Sequence, residues 1–129
     1  MYSVRITSPA GLDATIEKVT EELAKEGFGV LTEIDVKATL KSKLDVDFRD
    51  YVILGACNPP FAHQALQAEP HIGVMLPCNV IVQSSGSGGC EVAAVDPLAS
   101  MQAVENASLR GVAEEVRAKL QKVVENVGR

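Results

Sequence analysis

The segment GACNPPFAHQALQAEPHIGVMLPCN, positions 55 to 79, holds two Cys-Asn pairs, Cys57-Asn58 and Cys78-Asn79, and both histidines, His63 and His71. Thiols can act as nucleophiles, pair as a disulfide or bind soft metals, and asparagine amides can anchor a polar ligand. Asn58-Pro59-Pro60 reads as a helix start, with Asn at the N-cap and Pro at the first helical position. Cys57 then lies just before a helix N-terminus, whose dipole favours a thiolate. Pro59 and Pro60 also remove two of the free N–H donors, which weakens an anion-binding reading. Cys57, Cys78 and His63, with His71 as a fourth, are soft ligands suited to zinc or copper. Their spacing matches no standard zinc pattern, so no metal is assigned and the cofactor is left unknown. Cys-His catalysis needs a base in reach and a third orienting group, and the sequence identifies neither. The plain alternative is structural: Asn58 caps a helix, the cysteines are small apolar core residues, and Asn79 satisfies backbone left open by Pro77.

The elements that must position these residues follow from periodicity. YSVRITS (2 to 8) alternates as a first strand and is stopped by Pro9 and Gly11. Leu12, Ile16, Val19 and Leu23 recur at helical steps, with a Glu21–Lys25 pair on the outer side and Gly27 after the end. Residues 28 to 36 return to period two. Asp35 then caps a short helix carrying Val36, Leu40 and Leu44. DYVILGAC is a continuous apolar run, read as a strand buried on both faces. A helix over 61 to 68 ends at Pro70, and a helical turn precedes Pro77, because proline cannot sit inside a paired strand. Strands at 78 to 83 and 90 to 95 flank the SGSGG hairpin loop, which leads to a strand and so is not a phosphate loop. The final helix carries Leu109, Val112, Val116, Leu120, Val123 and Val127 on one stripe.

This order implies an α+β fold with one largely antiparallel sheet and helices packed on one face. If the third and fourth strands are antiparallel neighbours, the end of one lies beside the start of the next. The two Cys-Asn pairs should therefore meet, within disulfide reach, with Cys90 remote at the far end.

With 129 residues, 47% hydrophobic and 22% charged, the chain suits one ordinary folded domain. A net charge of −5 and few aromatics, with no Trp, argue against nucleic acid and anionic membranes as partners. Lys37, Lys41, Lys43 and Arg49 form the one basic cluster, read as a solvated surface. No segment has the length of a membrane span, and the N-terminus lacks signal-peptide features, so the expected location is cytoplasmic. Three cysteines are too few for a disulfide scaffold.

GFGVLTEIDVKATLK, DFRDYVILGACNPPFAHQALQAEP and GVMLPCNVIV resemble the domain-of-unknown-function 302 family, over about residues 11 to 97. The sequence departs from that pattern at Asp45 and Asp50, where Gly and Pro are usual. The resemblance implies a TATA-binding-protein-like fold of the β-α-β4-α type and is consistent with a homodimer. It implies no activity, and fold likeness transfers none. The functional expectation is a small-ligand or thiol-redox site built from Cys57, Asn58, Cys78 and Asn79, with His63 at its rim. The alternative is a non-catalytic oligomerisation or protein-binding module in which the segment is structural.

Overall fold

The computed structural model describes residues Met1 to Gly128. Alternating apolar residues form five strands: β1 (Ser3–Ser8), β2 (Gly29–Asp35), β3 (Tyr51–Cys57), β4 (Cys78–Ser84) and β5 (Cys90–Val95). They make one sheet in the order β1-β5-β4-β3-β2, with every neighbouring pair antiparallel. The helices are α1 (Leu12–Lys25), α2 (Val36–Leu44), α3 (Pro59–Ala68), the single turn α4 (Pro97–Ser100) and α5 (Ser108–Val127). A 3₁₀ segment, Pro70–Met75, precedes Pro77, whose peptide bond with Leu76 is cis.

Helices α1 and α5 cover one face of the sheet. Val52, Leu54, Val80, Val82, Val92 and Ala94 point from the strands into a core completed by Val19, Leu23, Leu120 and Val123. Burying side chains of this size contributes ~1.5–3 kcal/mol each, so this layer dominates the stability. The stripe expected on α5 is present, although Ala113 and Val124 are buried and Val112 only partly so.

Two expectations are corrected. First, β3 is not buried on both faces: Val52, Leu54 and Ala56 are buried, while Tyr51, Ile53 and Cys57 are half-exposed. Its second face belongs to a sheet surface without a helix layer, and a long apolar run did not reveal this. Second, Lys25 pairs with Glu22 at 2.7 Å instead of Glu21. Glu22 is buried, and the Lys25 ammonium beside it holds its carboxyl below the usual carboxylate range. Helix α2 forms as read, carrying Val36, Leu40 and Leu44, and none of its residues is buried. Two of the four residues of the basic cluster are paired: Lys37 meets Asp50 at 3.1 Å, and Lys41 meets Asp45 at 2.9 Å and Asp47 at 3.6 Å.

Asp45 ends α2 in the left-handed region, φ 51 and ψ 40, with its amide donating to the Lys41 carbonyl. A side chain is strained there and glycine is not. Asp45→Gly is therefore expected to stabilise the protein by about 0.5 kcal/mol, after the loss of its exposed pair with Lys41 is deducted. In urea unfolding the midpoint should rise at constant slope. A lower midpoint would show that the ion pair matters more than the backbone.

Candidate functional site

The β3–β4 register sets Ala56 opposite Cys78 and Gly55 opposite Asn79. Cys57 lies one residue past the last of these pairs and is itself opposite Gly29 of β2. The two Cys-Asn pairs thus come to the same edge of the sheet, offset by one residue instead of directly opposed. All three cysteines are free thiols, and Cys90 lies at the other end of β4, opposite Ser84.

At this edge the sheet, α3, α4 and α5 fail to close on one another and leave a cavity of about 310 Å³. Cys57, Asn58 and Cys78 line it, with Phe28, Phe61 and Met101 among its larger walls. No lining side chain carries a charge. Small residues keep it open: Ala56 on the sheet, Ala62 and Ala65 on α3, and Ala113 on α5. Protein interiors are otherwise packed to a density of ~0.75, so a space of this size is a distinct feature of the fold.

Asn58 does not cap α3 through its side chain. A capping oxygen accepts from the second or third helical N–H, and the second position here is Pro60, which has none. Its amide Nδ2 instead donates to the Glu26 carbonyl at 3.2 Å, at the end of α1. Gly27 makes this contact feasible: its φ is +85, and a Cβ there would lie 3.1 Å from Asn58 Nδ2. Asn58 therefore ties the cavity wall to the α1–β2 turn.

Asn79 is placed elsewhere. It follows Cys78 by one residue, so strand alternation turns it to the other face, where it is exposed and lines a separate groove. His63 is exposed on α3 and does not line the cavity. His71 is 94% exposed, 3.7 Å from Glu69. The soft-ligand set of Cys57, Cys78, His63 and His71 does not converge. Among the described residues no three His, Cys, Asp or Glu side chains are grouped to hold an ion. Sequence reasoning missed Phe28, Phe61, Met101 and the alanines, whose roles depend on where α3, α4 and α5 meet.

Pro77 lines the cavity beside Cys78 and packs across β3 at Gly55. A Cβ at Gly55 would meet Pro77 Cγ at 2.8 Å and would run into Thr32 Oγ1. The glycine is thus needed for close approach.

Burial, with a smaller contribution from Cys57, pushes the Cys78 thiol up to about 11 from its ordinary 9.0. A raised thiol pKa means that the neutral form persists through the physiological range and that thiolate appears only as pH climbs toward that value. In native protein at pH 8, Cys78 alkylation by iodoacetamide should be about a hundredfold slower than that of an ordinary thiol, two pH units corresponding to that ratio. Peptide mapping should show its rate still rising between pH 9 and about 11. A rate that levels off below pH 9 would contradict this environment.

A profile described as "Domain of unknown function DUF302" matches residues 4–127. The crystal structure of an uncharacterized conserved protein DUF302 from Bacillus stearothermophilus is similar along its whole length. The two chains are 28% identical with a TM-score of 0.91, over 100% of this chain and 99% of that one. No curated protein matches the chain.

Proposed function

Because the chain belongs to the DUF302 family, which carries no assigned reaction, we propose a function from the site alone: binding of a small, uncharged, largely apolar ligand. The cavity at the β3–β4 edge is its place. The supporting observation is a volume of about 310 Å³ lined without a charged side chain, with Asn58, Cys57 and Cys78 as its polar groups. Small-molecule sites span ~300–1,000 Å³ and are mostly apolar with few polar anchors. A charged ligand would lose its hydration there with no partner to replace it.

Thiol redox chemistry is the second reading, favoured by the convergence of Cys57 and Cys78 on one cavity. It has less support with Cys78 as the attacking group, because a thiol with a pKa near 11 is a poor attacking thiolate at neutral pH. Ligand binding is tested by titrating the native protein with the neutral fluorophore N-phenyl-1-naphthylamine. The expected result is saturable emission enhancement with about one probe per chain. Emission that rises linearly without saturation would count against the proposal and leave the segment a structural one.

A further inference from the structure

The face of the sheet opposite α1 and α5 carries a second feature, a groove of about 390 Å³ that includes Arg5, Arg49, Tyr51, Ile81, Gln83 and Ala93. Its arginines are unlike the other two among the described residues. Arg110 meets Glu114 at 3.0 Å and Arg117 meets Asp96 at 2.9 Å, whereas neither Arg5 nor Arg49 has a carboxylate oxygen within 4.0 Å among the described residues.

Both side chains are nevertheless held in place. Arg5 Nε donates to Ser3 Oγ at 2.8 Å, and its guanidinium lies 5.8 Å from the centre of the Tyr2 ring. Arg49 Nε donates to Gln83 Oε1 at 2.8 Å, with its guanidinium 4.5 Å from the Phe48 ring centre and 5.6 Å from that of Tyr51. In both cases Nε is occupied, while the Nη groups have no hydrogen-bond partner among the described residues. A guanidinium held over a ring with free N–H ends, as Arg49 is over Phe48, has less rotamer freedom to lose on meeting a planar anion.

Between them the floor is apolar. Ala93 lies opposite Arg5 on β1 and opposite Ile81 on β4. Ile81 in turn faces Ile53 of β3. Glu91 is the acidic group of the groove, and its carboxylate accepts from Gln83 Nε2 at 3.1 Å. Two arginines against one glutamate leave the groove positive in a chain whose net charge is −5. Local positive charge on an acidic protein, beside an apolar floor, favours an anion with an apolar body.

We propose that this groove binds a small aromatic carboxylate, its flat body on Ile81 and Ala93 and its carboxylate on the Nη groups of Arg5 or Arg49. The site is separate from the cavity at the β3–β4 edge and stands or falls independently of it.

Calorimetric and NMR titration with 2-naphthoate tests the proposal. Saturable binding should shift the Ile81 and Ala93 methyls, and the neutral 2-naphthamide should bind at least tenfold more weakly. Arg5→Gln/Arg49→Gln should weaken binding at least tenfold. The charge-retaining Arg5→Lys/Arg49→Lys pair should fall between that variant and the native protein, which guards against a purely structural loss. Glu91→Gln should strengthen binding, and raising salt from about 50 to about 500 mM should weaken it several-fold. Affinity indifferent to the arginine substitutions would overturn the proposal, as would naphthoate shifting Ala65 and Ala113 in the other cavity instead.

Discussion

Replacing Ala62 with phenylalanine is expected to abolish uptake of a neutral apolar probe, with the protein as stable as before or more so. Ala62 is half-buried on α3, faces the cavity, and sits one turn before Ala65 on the same wall. A benzyl group there enters about 310 Å³ of space without displacing packed atoms. A ring seated on these apolar walls buries surface on both sides, and such pocket-filling changes commonly add ~0.5–2 kcal/mol. The probe then has nowhere to go, so its affinity should fall at least tenfold. Ala65→Leu, from the same helix, should give a smaller loss in the same direction. A purely structural role for this edge predicts the gain in stability and no change in probe binding. Destabilisation by more than ~1 kcal/mol would show instead that the space is too small for added atoms.

The second large effect is expected at Gly55. Alanine there should destabilise the protein by ~1–3 kcal/mol, the usual cost of forcing atoms into a packed region. The added Cβ meets Pro77 Cγ from one side and Thr32 Oγ1 from the other, and neither belongs to a long flexible side chain. Pro77 carries the wall of the cavity next to Cys78, so its displacement should also lower probe affinity. Thr32→Ala removes the hydroxyl and should recover part of the loss in the double variant, while the Pro77 contact remains. Urea unfolding of the two single variants and the double gives the coupling directly. A Gly55→Ala protein within ~0.5 kcal/mol of the native one would mean that the strand ends can separate at no cost.

Much of the fold was legible because periodicity and turn residues agree. Val52, Leu54 and Ala56 alternate, Pro77 bars a continuous strand, and Asp35 does cap α2 by accepting from the Ala38 amide. The proximity of Cys57 and Cys78 followed from an antiparallel β3–β4 pair, and the register differs by only one residue. Consecutive residues of a strand point to opposite faces whatever the register. Asn79 is thereby sent to the sheet surface that holds Arg5 and Arg49, away from Cys78. Repetition of a dipeptide shows that two ends meet; it does not show that all four side chains do. The cavity itself was not legible, because it depends on four alanines from three elements that are distant in sequence. The side-chain cap read for Asn58 is absent, because its amide reaches the Glu26 carbonyl, 32 residues away.

The most direct test of the ligand-binding account is where a neutral apolar molecule settles. Methyl-resolved NMR during titration with N-phenyl-1-naphthylamine should move Ala62, Ala65, Val112, Ala113 and Val116, the methyls lining the β3–β4 cavity. Those of Ile81 and Ala93 on the open sheet face should stay still. Saturating shifts confined to the first group are the predicted result; shifts confined to the second, or none that saturate, would contradict it.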